Sequence, residues 1–283
     1  MRGEGSGGGA KDRDLRTLWR LGLQVTERGA RGCASTLAAL EALLQPRHCV
    51  ACERLIPPEI DAMACDTCWS RVPALPRPRC ERCGHPMGED SCRWCELLPP
   101  FVRAARSWCW VPGGDAERMV YALKYEGWPS IAREMAVRMA RLDWPEDVVA
   151  ERAALIPVPL AAARERERGF NQSRELARAL APRWGIPVWD DVIERPKGTP
   201  SQTRLTPAER LRNVADAFRI VAGAPAKVRG AHVMLVDDVV TTAATLNECA
   251  TTLWNAGARI VSYVTFGRAR AAGDQPLTSL SRG

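Results

Sequence analysis

The sequence of 283 residues contains no long apolar run. No segment approaches the roughly 18 consecutive apolar residues that a membrane-spanning helix requires, so we expect no membrane span. The first residues, MRGEGSGGGAKDRDLRTLWRLGL, carry charges and glycines where a secretory signal needs an apolar stretch of about 7 to 15 residues. Both absences favour a cytoplasmic protein.

A strong excess of charge of one sign is also lacking. The chain has 40 Lys and Arg against 33 Asp and Glu, which gives a formal net charge of +7. This balance favours a polyanionic partner such as nucleic acid, but only weakly.

Cysteine has the most distinctive spacing in the chain. Eight of the 11 cysteines form four C-x-x-C pairs, a pattern more typical of metal ligands than of disulfides. Two pairs complete one tetrahedral Zn²⁺ site, so we predict one or two structural zinc ions and a reducing compartment. Grouping in sequence order is simplest, and the spacing also allows interleaving. The predicted ligands are Cys49, Cys52, Cys65, Cys68, Cys80, Cys83, Cys92 and Cys95.

Composition divides the chain into four predicted segments. Residues 1–45 hold a Gly-rich polar start, which we expect to be disordered, and one short helix. Residues 46–100 form the cysteine-rich module, residues 101–270 a larger domain and residues 271–283 a flexible tail. In the larger domain predicted strands alternate with predicted helices, which indicates an α/β fold with a mostly parallel sheet flanked by helices.

The elements predicted in the larger domain follow from periodicity and from turn residues. The predicted strands span 108–111, 154–160, 186–193, 232–237 and 259–266. The predicted helices span 115–125, 130–142, 173–184 and 243–256.

Two adjacent acids follow a buried strand in the segment HVMLVDDVVTTAATL. They lie where parallel sheets bind ligands, beyond the carboxyl end of a strand. Two neighbouring carboxylates suit the hydroxyl pair of a ribose or a hydrated Mg²⁺, and the threonines near the next helix start suit a phosphate. One ligand, a ribose with a 5′-phosphate, satisfies both halves. A helix cap is the alternative role for the acids.

The string VMLVDDVVTTAAT resembles the signature of type I phosphoribosyltransferases that binds phosphoribosyl pyrophosphate (PRPP). The resemblance implies that Asp237 and Asp238 hold the ribose diol and that Mg²⁺ accompanies PRPP. It also implies a 5′-phosphate loop of Thr241, Thr242, Ala243, Ala244 and Thr245. The family commonly has Gly at the position of Ala243, where a Cβ is expected to narrow the approach of the backbone to phosphate.

A second segment, LIPVPLAAARERERGFNQSRELA, is similar to the most distinctive motif of the ComF family. With the cysteine pairs, the resemblance covers residues 46–268 and implies a type I phosphoribosyltransferase-like fold behind a double zinc ribbon. It implies contacts to pyrophosphate or nucleic acid from Val158, Pro159, Arg164, Arg168, Asn171 and Gln172. An ordinary solvated charge run is the alternative for the arginines.

The polar segment TPSQTRLTPAERLRNVADAF contains residues in the order that ComF members show before their last core strands. Long polar loops inside compact domains are often lids, so we predict a hood that closes on bound ligand and excludes water. Its predicted contacts are Gln202, Leu205, Arg210 and Asn213. A connector without such a role is the alternative.

The resemblance leaves three functions open. The first is a phosphoribosyltransferase, whose acceptor and general base the sequence does not identify. The second is a nucleic-acid-binding zinc protein, because ComF members are linked to natural competence; single-stranded DNA and DNA-uptake proteins are then the expected partners. Trp69 beside Arg71 and the segment RWC at 93–95 are candidate stacking sites. The third is a protein that senses PRPP without turnover.

Overall fold

The computed structural model describes four stretches of the chain, residues 46–87, 92–111, 113–196 and 217–270. The predicted helix before Pro46 and the predicted tail 271–283 lie outside these residues. So do the predicted hood contacts Gln202, Leu205, Arg210 and Asn213. Among the described residues, no helix combines the length and the apolar character that crossing a lipid bilayer requires.

The chain divides into two compact units. The first consists of Met1–His48 and Arg54–Asp61, and the second of Cys49–Glu53 and Ala62–Gly283. In the described part of the first unit, His48 and Leu55 form an isolated antiparallel bridge. The sheet, the cysteine groups and the candidate sites described below all belong to the second unit.

Strands and helices alternate along the second unit. The strands are β1 (Val102–Trp110), β2 (Arg152–Pro157), β3 (Ile193–Glu194), β4 (Arg219–Ile220), β5 (His232–Val240) and β6 (Ile260–Arg268). The α-helices are α1 (Asp66–Arg71), α2 (Gly114–Tyr125), α3 (Ile131–Met139), α4 (Glu146–Glu151), α5 (Ala162–Arg168), α6 (Gln172–Trp184), α7 (Ala224–Val228) and α8 (Ala244–Asn255). A 3-10 helix spans Arg93–Leu97.

A four-stranded parallel sheet forms the centre of this unit, with the strand order β1, β6, β5, β2. Strand β5 pairs on both sides, and Val233, Met234, Leu235 and Val236 are fully buried. Helix α6 packs against β2 and β5, and α8 packs against β5 and β6. A parallel strand covered on both faces reads as a continuous apolar run, which explains the sequence of β5. The predicted α/β class with a parallel sheet is confirmed.

Among the differences from the sequence prediction, three concern β1, α5 and β3. Strand β1 begins at Val102 rather than at 108, because its arginines find partners; Arg103, for example, donates to both carboxylate oxygens of Asp147 (2.6 and 2.8 Å). The charge run at 162–168 is helix α5, which buries none of its residues. Of the predicted strand 186–193, only the end forms part of β3, which pairs antiparallel with β4.

The cysteine-rich module pairs with the outer edge of β1. The N–H of Leu75 donates to the carbonyl of Trp108 (3.0 Å), and the N–H of Ala105 donates to the carbonyl of Arg82 (2.8 Å). Cys109 of β1 also forms an antiparallel bridge with Ala74. These contacts cover the edge of the sheet on that side. An uncovered strand edge can pair with other chains and lead to aggregation.

The segment from Met63 to Trp69 docks on helix α3. The backbone N–H of Met63 and the indole N–H of Trp69 donate to the two carboxylate oxygens of Glu134 (2.5 and 2.6 Å). The guanidinium of Arg138 lies 3.3 Å from the centre of a Trp69 ring. One helix therefore holds this part of the module by charge-assisted hydrogen bonds and by a cation–π contact.

Gly84 tests how closely the module rests on β1. Its φ is +65°, and a Cβ there would lie 2.6 Å from the carbonyl oxygen of Ala105. We expect Gly84→Ala to lower the free energy of unfolding by about 2–4 kcal/mol, through left-handed strain and the clash together. Gly185→Ala is the matched control, because φ is +66° and nothing lies within 4 Å; we expect about 1 kcal/mol there. Urea unfolding of zinc-loaded protein gives both values, and equal losses would contradict close docking.

Candidate functional site

The acid pair lies at the carboxyl end of β5, near the middle of the sheet. Asp237 is opposite Thr265 of β6. On the other side, the N–H of Val158 donates to the carbonyl of Val236 (3.0 Å), which brings the residues after β2 beside the pair. The structure therefore brings together two of the sequence-predicted segments at one edge of the sheet.

Asp238 is buried beside a lysine. Its side chain is 4% exposed, and its Oδ2 lies 2.5 Å from Nζ of Lys124 on α2. Removing a carboxylate from water without a counter-charge is costly, and the ammonium group supplies that charge. Lys124 is not among the site residues predicted from the sequence. Nothing in its local sequence marks it, because the contact depends on α2 reaching the end of β5.

Asp237 is bound by the start of helix α6. Its Oδ1 accepts hydrogen bonds from the hydroxyl of Ser173 (2.8 Å) and from the N–H of Asp238 (2.9 Å). Burial, together with the neighbouring Asp238 carboxylate, raises the pKa of Asp237 to about 8, although the Ser173 hydrogen bond acts in the opposite direction. Asp237 therefore holds its proton to a higher pH than an ordinary aspartate does, and the Asp238 side chain lies opposite the Lys124 ammonium.

The predicted phosphate loop follows directly. Thr241, Thr242 and Thr245 are exposed, and α8 begins at Ala244. The first-turn N–H groups of a helix have no partner within the helix, so an exposed helix start surrounded by hydroxyls is suited to an anion. The threonines and these N–H groups are the donors that the loop offers to a phosphate.

Ala243 adopts the backbone conformation that glycine usually provides. Its φ is +61°, in the left-handed region, and the residue is buried. It lines an internal void of about 10 Å³ together with Trp94 and Leu246, a space that is barely sufficient for one water molecule. Ala243 is therefore on the buried side of the loop, among residues of the hydrophobic core. That its Cβ narrows the approach of the backbone to phosphate stays a prediction.

The residues after β2 form a connected structure. Asn171 is buried; its Oδ1 accepts from the N–H of Ser173 (2.9 Å) as the N-cap of α6, and its Nδ2 donates to the carbonyl of Val158 (3.0 Å). Asn171 thus fixes Ser173, and through it Asp237, relative to the end of β2. A direct contact of Asn171 with a ligand stays a prediction.

The two predicted arginines lie on α5. Arg168 donates to Oε1 of the buried Gln172 (2.9 Å), and its guanidinium lies 4.7 Å from the ring centre of Tyr125. Arg164 is exposed. Arg168 therefore lies beside α2, and Arg164 is exposed on α5.

A cavity of about 290 Å³ adjoins the end of β2. It is lined by Pro157, Pro159, Leu160, Ala162, Glu165, Asn171, Arg174, Asp190, Ile193, Glu194, Arg195 and Val221. Asn171 connects this cavity to the acid pair, because Ser173, which donates to Asp237, lies two residues further along the chain. The volume is near the lower end of the range for small-molecule sites.

The eight paired cysteines lie in two groups. Within each group the four Sγ atoms lie within 4.8 Å of one another. Distances such as 3.7 Å between Cys49 and Cys68 are too long for a disulfide bond, and a tetrahedron with Zn–S bonds of about 2.3 Å requires S–S distances near this length. The residues therefore fit Zn²⁺, in sequence order. The groups are Cys49, Cys52, Cys65, Cys68 and Cys80, Cys83, Cys92, Cys95.

Arginines from the sheet surround the second group. Arg268 of β6 is 1% exposed and donates to the carbonyl of Cys83 (2.6 Å). Arg106 of β1 is also buried and donates to the carbonyl of Glu81 (2.8 Å). Four thiolates with one Zn²⁺ carry a net charge of about −2, and these guanidinium groups offset it.

The predicted stacking sites for nucleic acid in the zinc module are wrong. Trp69 and Trp94 are only 6% and 7% exposed. Trp69 packs edge-on against Trp108, and Trp94 stacks with His85 and with the guanidinium of Arg268. Both rings are used to dock the module on the sheet, so they are not available to bases.

Two family matches cover the two parts of the chain. Residues 39–97 match the family described as double zinc ribbon domain, and residues 167–279 match the phosphoribosyl transferase domain. The predicted zinc ribbon module and the predicted type I phosphoribosyltransferase-like fold class are confirmed.

Individual relatives are similar to part of this chain. The DNA utilization protein YhgH of Salmonella typhi is 35% identical over 193 residues, 64% of this chain and 80% of that protein. Competence protein F of Haemophilus influenzae is 36% identical over 118 residues, 42% of this chain and 50% of that protein. A solved hypoxanthine phosphoribosyl transferase of Trypanosoma cruzi is 21% identical, over 54% of this chain and 70% of that chain, with a TM-score of 0.31.

The proton on Asp237 gives a stability test. An unfolded Asp has a pKa near 3.9, and the folded value is about 8. At pH values between these two pKa values, Asp237 holds a proton in the folded chain and releases it in the unfolded chain. The free energy of unfolding therefore falls as pH rises through this range. Asp237→Asn removes this effect. We expect its Tm minus that of the parent to increase between pH 5 and 8, to on the order of 5 °C, and to level off above pH 8.

Thermal melting in a pH series measures that difference. Ser173→Ala removes the hydrogen bond that lowers the pKa of Asp237. In this variant we expect the free energy of unfolding to keep falling above pH 8. A difference between Asp237→Asn and parent that does not change with pH would contradict the protonated acid.

The zinc stoichiometry tests the cysteine groups. We expect two zinc ions per chain, because each group offers four thiolates. Cys52→Ser should leave one, since three thiolates bind Zn²⁺ much more weakly than four. Cys109→Ser, at a buried cysteine outside both groups, is the control and should keep two. Elemental analysis of purified protein gives the count, and two zinc ions in Cys52→Ser would contradict the assignment.

Proposed function

This chain belongs to the ComF family, and on that premise we propose that it binds PRPP with Mg²⁺ at the acid pair and supports the uptake or use of single-stranded DNA. The observation that carries the proposal is the meeting of the acid pair with an exposed threonine loop at the helix start of α8. The names of its relatives, DNA utilization protein and competence protein, support the DNA part.

In the proposed complex, the acid pair binds the ribose. The two hydroxyls of the diol donate to Asp237 and Asp238, and both carboxylates accept best when they are ionised. Asp238 lies opposite the ammonium group of Lys124. Asp237 releases its proton as the diol takes over, so PRPP affinity should increase as pH approaches 8.

The loop and α5 bind the charged ends of the ligand. Thr241, Thr242 and Thr245 donate to the 5′-phosphate, together with the first N–H groups of α8. Arg164 and Arg168 lie on the arginine-rich helix after β2 and reach the pyrophosphate, where planar guanidinium groups match the geometry of oxyanions. Mg²⁺, when bound with PRPP, supplies further charge stabilisation of the pyrophosphate.

We propose phosphoribosyl transfer as the reaction. The proposed contacts to the diol and to the 5′-phosphate hold the ribose ring in the orientation that the transfer requires. The cavity beside β2 offers a place for an acceptor at the same edge of the sheet. No covalent intermediate with the protein is required.

We place the protein in the cytoplasm. Two groups of four thiolates require a reducing compartment, and DNA-uptake proteins that handle an internalised single strand would meet it there.

Calorimetric titration with PRPP and Mg²⁺ tests the site. We expect binding to the zinc-loaded parent and a loss of about 100-fold or more in the double variant Asp237→Asn, Asp238→Asn, because each acid loses a charged hydrogen bond. Asp143→Asn, at an exposed acid paired with Arg77, is the control and should bind as the parent does.

The outcomes separate the three functions. Binding followed by pyrophosphate release with an added acceptor supports a transferase. Binding without release from any acceptor supports a PRPP sensor. No binding to the parent would sink the PRPP proposal and leave nucleic-acid binding by a zinc protein as the remaining function.

A further inference from the structure

A row of exposed aromatic side chains lies at the end of α2. Tyr121 and Tyr125 are one helical turn apart, and Trp128 follows just after the helix; they are 54%, 60% and 48% exposed. We call these three residues the aromatic face. Single exposed apolar side chains are normal on a protein surface, whereas several large exposed rings close together indicate an interaction site.

An arginine of α5 lies beside the aromatic face. The rings of Tyr121 and Tyr125 are 5.0 Å apart, and the guanidinium of Arg168 covers the Tyr125 ring at 4.7 Å. Arg164 is one turn before Arg168 on α5, so both side chains project from the same side of that helix. Because α5 buries none of its residues, this side is open to a partner.

The aromatic face lies on the same helix as Lys124, the residue that contacts the acid pair. Lys124, which lies between the two tyrosines in sequence, reaches Asp238 at 2.5 Å. A ligand on the aromatic face therefore lies next to the candidate PRPP site.

We propose that the aromatic face, with Arg164 and Arg168, binds single-stranded nucleic acid. Bases stack on the rings, and phosphates meet the guanidinium groups. This combination of rings and cations is what sequence-tolerant single-strand binding uses. Arg168 covers Tyr125 in the free protein, and a base that takes its place frees the guanidinium for a phosphate. The inference specifies the DNA part of the proposed function and rests on it.

The composition of the surface favours this occupant over an apolar protein partner. The exposed large aliphatic side chains of the described residues lie in other segments of the chain: Leu55, Ile60, Leu97 and Val149. The aromatic face itself contains only rings with polar tips, which suit a wet, charged partner. A duplex hides the faces of its bases, so the rings select single strands.

Fluorescence anisotropy with a labelled oligodeoxythymidylate of about 20 nucleotides tests the proposal, since single-strand sites span roughly 4–16 nucleotides. We expect the zinc-loaded parent to bind. The double variant Tyr121→Ala, Tyr125→Ala should bind at least about ten-fold more weakly. Tyr121→Phe, Tyr125→Phe keeps both rings and should stay within about two-fold of the parent, because stacking does not need the hydroxyls.

A matched control separates this surface from any exposed ring. Trp254 of α8 is also exposed, at 43%, but stacks on Phe101 and lies in another segment. Trp254→Ala should leave DNA affinity within about two-fold of the parent. Arg164→Gln with Arg168→Gln should reduce the slope of log Kd against log salt by about 1.4, between about 50 and 200 mM salt.

Each result decides the proposal. Absence of DNA binding in the parent, or equal losses in Trp254→Ala and in the tyrosine-to-alanine variant, would overturn it. Zinc content and Tm equal to the parent exclude misfolding, and the phenylalanine variant provides a second check. PRPP titration of the same samples keeps the two proposals distinct. PRPP binding without DNA binding removes only this inference, and the reverse removes only the PRPP site.

Discussion

The candidate site depends on one ion pair, between the Asp238 carboxylate and the Lys124 ammonium. Two acids in succession at the buried end of a strand repel each other, and without a cation both would be driven toward the neutral form. The Lys124 ammonium lies against Asp238, and the Ser173 hydroxyl donates a hydrogen bond to Asp237. The contact also holds the end of α2 at the edge of the sheet, which places the aromatic face there. Ser173 does the same for the start of α6 through Asp237.

The zinc module completes the sheet. Strand β1 has β6 on one side only, and the cysteine-rich segment pairs with its other side. The second cysteine group also receives the guanidinium groups of Arg106 and Arg268, which come from two strands of the sheet. Charge therefore links the zinc ribbon to the same sheet whose carboxyl edge forms the candidate site.

Local patterns were sufficient for some features and not for others. The apolar run of β5, the helix after it and the sequential cysteine grouping follow from residues close together in the chain. The roles of Lys124 and Ser173 do not follow from local patterns. Ser173, for example, lies 64 residues from Asp237 in the chain, and only the fold brings the two together. The start of β1 was missed because its arginines are unusual for a buried strand until their partners are known. Trp69 and Trp94 were misplaced because docking of the module, a tertiary event, decides their burial.

The sheet order has a consequence for synthesis of the chain. Val102 of β1 pairs with Val261 of β6, so the first strand to leave the ribosome waits for the last one. While it waits, its available partners are the segments of the zinc ribbon that were translated just before it, around Leu75 and Arg82. These segments can cover the open edge of β1 early, whereas its other edge stays uncovered until β6 has been made.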